Sequence, residues 1–266
     1  MSYFDFKDYR IHYRSTGHGD TALLFIHGLG GDLDSWKYQS EYFADRYEIV
    51  TVDLLGHGKS SQKADPVTAP RLDAEAVADL MQKEIKKPYF IIGHSFATNI
   101  IPEIIKIGDT ALKGIVFVDC TYQGFDEIID ARLKFAKTML GLPDDTLLTE
   151  TQRWYDELIG DNVTEDDRRF IHASLERCDI RWLFESVAGC RQYCSQHPPE
   201  QTPIDDNLPV FIMEADGGVG SDLLKSWVNH FKAARYYLFE HAGHFFFVTE
   251  RDKFNRLLDE FLRENS

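Results

Sequence analysis

Several features that mark other classes of protein are scarce or missing in this sequence. It has four cysteines in 266 residues, and the two that lie four apart, Cys190 and Cys194, have no further cysteine or histidine in a metal-binding pattern. No apolar stretch is long enough to cross a bilayer, and the first residues show no basic segment followed by an apolar run. We therefore expect a cytoplasmic protein with reduced thiols, no metal, no cofactor and no membrane partner.

Basic residues are also few relative to acidic ones. Lysine and arginine total 29 against 44 aspartates and glutamates, which gives a formal net charge of −15. Such a surface repels nucleic acid and anionic membranes, so neither is an expected partner. The length suits a single domain, 1–266, with room for one insertion, and the composition is compatible with a homodimer.

What the sequence does contain centres on a serine between a strand and a helix. Residues 89–92 are apolar, residues 93–97 read Gly-His-Ser-Phe-Ala, and a helical pattern follows. A serine at the apex of such a turn exposes its hydroxyl, and the turn requires small residues two positions before and after it. Gly93 and Ala97 meet that requirement. The pattern predicts that Ser95 is a nucleophile, against the simpler interpretation of a tight turn with an incidental serine.

A glycine-rich loop upstream supplies a second part of the same chemistry. The apolar run 21–26 leads directly into His-Gly-Leu-Gly-Gly at 27–31. Acyl transfer needs two N–H groups directed at the developing oxyanion, one from such a loop and one from the residue after the nucleophile. We predict that these donors are the backbone N–H groups of Leu29 and Phe96.

A histidine base is predicted near the end of the sequence. A strand pattern over 235–239 is followed by Glu-His-Ala-Gly-His at 240–244. A histidine on the loop after the last strand can reach over the sheet edge and take the proton of the serine. His244, behind the small Ala-Gly pair, fits this role better than His241 does.

Together these motifs resemble those of the α/β-hydrolases, in particular the single-domain serine esterases. The resemblance covers most of the chain outside its middle and depends on segments 27–31, 53–60, 93–97 and 242–244. It implies an α/β fold with a mostly parallel eight-stranded sheet and helices on both faces. It also implies that nucleophile, acid and histidine follow one another in that order along the chain.

The middle of the chain, 121–207, interrupts the alternation of strands and helices. Its apolar residues recur at helical spacing, and Thr164 begins a sequence typical of a helix start. The predicted helices cover 126–140, 149–159, 164–175 and 180–193. So much helix between two strands predicts a helical cap, inserted before the last two strands of the sheet.

For the acid that orients His244, two ways of counting residues give different positions. In the resembled family the acid follows the penultimate strand, here 209–213. Counting forward from that strand leads to Gly218, which has no carboxylate, whereas counting back from His244 leads to Asp216. Asp216 is therefore the first choice, and Asp119, at the end of the earlier apolar run, is the alternative acid. Two other carboxylates nearby fit less well, Glu214 as a strand-end residue and Asp222 as a helix N-cap.

These residues predict a cofactor-independent serine hydrolase. Its substrate would be a small or medium carboxylic ester, cleaved through an acyl-enzyme intermediate on Ser95. The same triad would also serve a thioesterase, a lactonase or a C–C bond hydrolase. In a different class, the scaffold would serve a small-molecule receptor with slow turnover.

Overall fold

The computed structural model describes residues 2–60, 64–120, 126–161, 163–203, 205–219 and 227–266. The strands are β1 (Ser2–Phe6), β2 (Tyr9–Gly17), β3 (Ala22–Ile26), β4 (Glu48–Val52), β5 (Tyr89–His94), β6 (Leu112–Val118), β7 (Val210–Gly217) and β8 (Arg235–Gly243). The helices are α1 (Lys37–Phe43), α2 (Ala69–Leu80), α3 (Ile101–Ile107), α4 (Asp126–Leu140), α5 (Asp144–Ile159), α6 (Glu165–Leu175), α7 (Ile180–Gln196), α8 (Phe246–Thr249) and α9 (Arg251–Asn265).

The strands form one sheet in the order β1-β2-β4-β3-β5-β6-β7-β8. β2 pairs antiparallel with both β1 and β4, and from β4 to β8 every neighbouring pair is parallel. The predicted α/β architecture, a mostly parallel eight-stranded sheet, is confirmed. Since all the parallel strands run the same way, their carboxyl ends lie along one edge, where ligands of such sheets bind.

Both faces of the sheet are covered, because successive side chains of each inner strand point in opposite directions. In β3, Leu23 and Phe25 pack in a cluster with residues of α1 and α9, while Leu24 and Ile26 pack with residues of α2 and α3. Every residue of β3 and of β5 is buried. The continuous apolar runs seen in the sequence are therefore the central strands of a two-faced sheet.

The cap helices α4 to α7 lie between β6 and β7, within the predicted insertion 121–207. The helix over 126–140 has the predicted bounds, and Thr164 accepts a hydrogen bond from the Asp167 N–H at 3.1 Å, as a helix N-cap does. α5 begins at Asp144 rather than at 149. Pro143 directly precedes it, and acidic residues in its first turn favour the earlier start.

One cap contact explains a glycine in the loop after β4. The Trp182 indole N–H, on α7, donates to the Leu55 carbonyl oxygen at 3.1 Å. Gly56 has a φ of +77°, and a Cβ there would lie 1.3 Å from the Trp182 Nε1. Only glycine therefore lets α7 approach this loop.

In the described ranges no helix has both the length and the apolarity to cross a membrane.

Candidate active site

Ser95 lies at the junction between β5 and a 3₁₀ helix, Ser95–Asn99, that leads into α3. Its φ is +51°, a left-handed conformation that is strained for any residue other than glycine. A Cβ on Gly93 would lie 2.6 Å from the Ala97 Cβ. The two small residues are therefore required by the close approach of strand and helix, and the turn presents the serine hydroxyl at the carboxyl edge of the sheet.

His244 follows β8 and its ring pairs with a buried carboxylate. The His244 Nδ1 is hydrogen-bonded to the Asp119 Oδ2, and both side chains are almost completely buried. Asp119 comes directly after β6 and has a φ of +45°. Its two carboxylate oxygens also accept N–H groups, from Ala215 at 3.3 Å and from Val219 at 2.9 Å. The Asp119 carboxylate is thus held in place by backbone N–H groups of β7 and of the loop after it, as well as by the His244 ring.

The prediction that Asp216 orients His244 is wrong in this structure. The Asp216 carboxylate accepts the backbone N–H of His241 at 2.8 Å and of Ala242 at 3.2 Å, and its side chain is 39% exposed. The register of the β7–β8 pair shifts between Ala215 and Gly217, so Asp216 lies in a bulge and turns toward the neighbouring strand. These N–H groups hold the pKa of Asp216 below its usual value. Asp119, the alternative acid, takes the position instead.

Gly218 explains why the carboxylate that pairs with His244 follows β6 and not β7. A Cβ on Gly218 would lie 2.2 Å from the Asp119 Oδ2. The residue count that led to Gly218 therefore identified the correct location. The carboxylate at this location belongs to Asp119, which follows β6, and not to a residue that follows β7. The sequence signal for this arrangement is the combination of a glycine after β7 and an aspartate after β6. Glu214 is buried with its Oε2 bound by the Tyr236 hydroxyl, and Asp222 lies outside the described residues.

His27 orients the loop that carries Leu29. The sequence motif alone does not indicate this role. The His27 Nε2 accepts the Leu54 N–H at 3.1 Å, so its Nδ1 carries the proton and donates to the Gly28 carbonyl at 2.7 Å. Burial lowers the pKa of His27 to about 4, which keeps the ring neutral. The Gly31 N–H donates to the same carbonyl at 3.1 Å.

This anchoring decides where the Leu29 N–H points. In a trans peptide the C=O and the following N–H face opposite ways, so a Gly28 carbonyl held toward His27 leaves the Leu29 N–H directed away from it. The loop lies against the nucleophile, because a Cβ on Gly28 would lie 3.0 Å from the Ser95 Cβ. From the cap, the Tyr155 hydroxyl donates to the Leu29 carbonyl oxygen. Both neighbouring peptide groups of Leu29 are therefore fixed.

His94, directly before the predicted nucleophile, contacts the predicted base, His244. Its Nε2 donates to the His244 carbonyl at 3.1 Å, and the two rings lie 4.3 Å apart. Burial, with a smaller contribution from the proximity of His244, holds the pKa of His94 well below its usual value. A neutral His94 therefore fixes the backbone of His244 without adding a charge beside it.

The predicted nucleophile, base and oxyanion donors all line one cavity of about 330 Å³, which we name the active-site cavity. Its walls from the cap are mainly apolar and aromatic: Phe135, Trp154, Tyr155, Leu158 and Val187. Arg132 is the permanently charged residue on its lining. No group of three or more metal-ligating side chains is found among the residues that the structure describes.

Comparison with known proteins places the chain in a family. A sequence model described as "Alpha/beta hydrolase family" matches residues 23–257, and the chain belongs to this family. A solved structure of a thermophilic esterase from Thermogutta terrifontis superposes with a TM-score of 0.79, covering 97% of this chain and 95% of that one at 16% identity. At that identity the likeness shows a shared fold.

Curated relatives match over shorter stretches. One is the dihydrolipoyllysine-residue acetyltransferase component of the acetoin cleaving system of Cupriavidus necator, 35% identical over 100 residues, which are 38% of this chain and 26% of the relative. Another is 3-oxoadipate enol-lactonase 2 of Acinetobacter baylyi, 33% identical over 97 residues, 34% of this chain and 36% of the relative. The matched stretches thus span only about a quarter to a third of these relatives.

Proposed function

We propose that this hydrolase is a serine esterase that cleaves a small or medium carboxylic ester through an acyl-enzyme intermediate. The observation that carries the proposal is one cavity lined by both Ser95 and His244, with His244 paired to the buried carboxylate of Asp119. A nucleophile, a base and a residue that orients the base are the three parts that this chemistry needs.

In the proposed mechanism each step belongs to a named atom. Because Asp119 holds the His244 Nδ1, the Nε2 is the nitrogen that takes the proton of Ser95 as its hydroxyl oxygen attacks the ester carbonyl. The N–H groups of Leu29 and Phe96 stabilise the oxyanion that forms. His244 then passes the proton to the leaving alcohol. A water molecule, activated by the same nitrogen, releases the acid and regenerates Ser95.

The size and lining of the cavity support an ester of modest size. About 330 Å³ lies at the lower end of the volumes of small-molecule sites. The aromatic and aliphatic cap residues favour an apolar acyl or alkyl group next to the reacting carbonyl. The fold is shared with an esterase, which agrees with this substrate class.

A cyclic ester is the second candidate substrate. The specific observation in its favour is the similarity to an enol-lactonase, although it covers only 34% of this chain. The proposed machinery would open a lactone by the same attack, with the leaving alcohol kept in the product.

The experiment is labelling with a fluorophosphonate probe combined with turnover of short-chain esters, lactones and thioesters. Native protein should be labelled at Ser95 and should turn over one of these classes many times per molecule. Ser95→Ala should lose both labelling and turnover while it keeps the same melting temperature. Persistent labelling of the alanine variant would refute the esterase function. About one turnover per molecule in the native protein would also refute it and would favour a receptor.

A further inference from the structure

A second cavity of about 360 Å³ adjoins the active-site cavity. The two share four lining residues, Leu29, His94, Tyr155 and Phe245, so these residues form the wall between them. The Tyr155 and Phe245 rings lie 5.5 Å apart within this wall. An ester carbonyl held by the Leu29 N–H would therefore lie at the boundary of both cavities.

The second cavity differs from the first in its chemistry. Four charged side chains line it, Asp32, Asp34, Lys37 and Arg177, together with the hydroxyl-bearing Ser35 and Ser174. The active-site cavity, by contrast, has Arg132 and a mainly apolar remainder. The two cavities would thus suit the two unlike ends of an amphipathic molecule.

The four charges that line the second cavity sum to zero, but they are not all paired with one another. Asp32, which is almost completely buried, forms an ion pair with Arg177 at 2.6 Å. Asp34 forms an ion pair with Arg14, outside the lining, at 2.7 Å. No carboxylate in the described part of the chain pairs with Lys37, whose closest aromatic partner is the Tyr38 ring at 5.9 Å. Each aspartate is therefore paired with an arginine, and Lys37 is the cation of the lining for which the described residues provide no carboxylate partner.

We propose that the second cavity binds a carboxylate at the polar end of the substrate, next to Lys37. This proposal rests on the proposed esterase function and narrows its substrate to an ester with one apolar end and one anionic end. The chain as a whole carries a formal charge of −15, so its overall field repels an anion. An anion bound here is therefore selected by Lys37 and by the alignment with Leu29, and not by the overall field.

The test uses two pairs of esters that differ only in the charge at the polar end. The first pair is monohexyl succinate and its uncharged counterpart, hexyl succinamate. The second pair is the hexanoate esters of 4-hydroxybutyrate and of 4-hydroxybutyramide, in which the polar end belongs to the alcohol. Release of product by the native protein gives kcat/KM, and calorimetry on Ser95→Ala gives binding without turnover.

We expect the native protein to prefer the carboxylate member of one pair by about threefold to fivefold, the size that a solvent-exposed ion pair supports. The same preference should appear in binding to Ser95→Ala. Lys37→Gln should remove it. Lys137→Gln removes the same charge from an exposed site on the cap that lines neither cavity, and it should leave the preference intact.

Equal values within both pairs, or a preference that survives Lys37→Gln, would overturn the proposal. So would an equal loss in Lys137→Gln, because it would assign the effect to overall charge. A protein that binds the carboxylate member more tightly but hydrolyses none of the four esters would support the second cavity while refuting the esterase function. The two failures are thus distinguishable.

Discussion

Among the described residues, two buried aspartate–histidine pairs have a serine nearby, and one of the two lies at the active-site cavity. In the first, Asp119 pairs with His244 at the cavity that Ser95 lines. In the second, Asp53 pairs with His12 at 2.7 Å, and both side chains are buried. The residue types match, so the pair by itself does not define a site.

The difference between the pairs lies in what surrounds them. In the second pair Ser60 donates its hydroxyl to the Asp53 carbonyl at 2.6 Å and accepts the His12 N–H at 2.9 Å. The Asp53 carboxylate also accepts the N–H groups of Leu33 and Lys59, both at 2.8 Å. These hydrogen bonds join two loops to β2, and the Ser60 hydroxyl takes part in two of them. A nucleophile needs a hydroxyl that faces a cavity, and the turn after β5 places Ser95 on the lining of one.

The largest expected effect separates the two serines. Ser95→Ala should reduce kcat for an ester by at least about a thousandfold, because it removes the nucleophile. Ser60→Ala should leave kcat within about twofold and lower the free energy of unfolding by about 1–3 kcal/mol, because it leaves the buried His12 N–H without its acceptor. Turnover assays and urea titration of both variants measure this. A large loss of turnover in Ser60→Ala would mean that the second pair also serves the reaction.

The next effect separates the two aspartates. Asp119→Asn should cost up to about 10⁴-fold in kcat, because the amide no longer holds His244 in the tautomer that accepts the serine proton. Asp53→Asn should cost about 1–3 kcal/mol of stability, because the amide NH₂ cannot accept the hydrogen bonds that one carboxylate oxygen accepts, and kcat per folded molecule should change little.

Asp216→Asn serves as the control for the acid. The Asp216 carboxylate binds the His241 and Ala242 N–H groups and not the His244 ring, and the amide keeps an oxygen for one of these N–H groups, so kcat should change by less than about threefold. The measurements are kcat and melting temperature for all three variants. A greater loss of kcat in Asp216→Asn than in Asp119→Asn would restore Asp216 as the acid.

A smaller effect is expected where the cap meets the oxyanion loop. Tyr155→Phe removes the hydroxyl that binds the Leu29 carbonyl and keeps the ring, so kcat should fall about fivefold with little change in KM. Tyr89→Phe is the matched control, since its hydroxyl binds Asp109 at 3.1 Å and lines neither cavity. Equal kinetics for the two variants would show that the cap does not orient this loop.

The last prediction concerns a buried aspartate, Asp73, whose effect is expected on stability and not on kcat. Asp73 accepts the Leu55 N–H at 2.8 Å, and burial raises its pKa from 3.8 to about 8. Since the folded-state pKa is the higher one, the folded protein holds an extra proton in this range, and stability falls as pH rises from about 4 to 8. Asp73→Asn mimics the protonated form and should flatten this decline. The melting temperature of both proteins is measured from pH 5 to 8. An equal decline in the two would contradict the raised pKa of Asp73.

Features that depend on neighbouring residues could be predicted well. The turn at Ser95 follows from Gly93 and Ala97, the buried strands follow from their apolar runs, and α6 follows from its Thr164 cap. Other site features needed distant contacts. The role of His27 depends on the Leu54 N–H, and that of Tyr155 depends on where α5 lies over the loop. Neither contact leaves a local pattern in the sequence.

The sequence by itself determined the sheet, the helical insertion and the strand-to-helix turn at Ser95, because backbone conformation responds to residues within a few positions along the chain. Which carboxylate pairs with His244 was decided only by the tertiary structure. Asp119 and His244 lie 125 residues apart, and their contact depends on strand order, on the bulge in β7 and on the space left by Gly218. Residue counting measures distance along the chain, whereas a carboxylate reaches a histidine through space, across strands whose register only the folded sheet establishes.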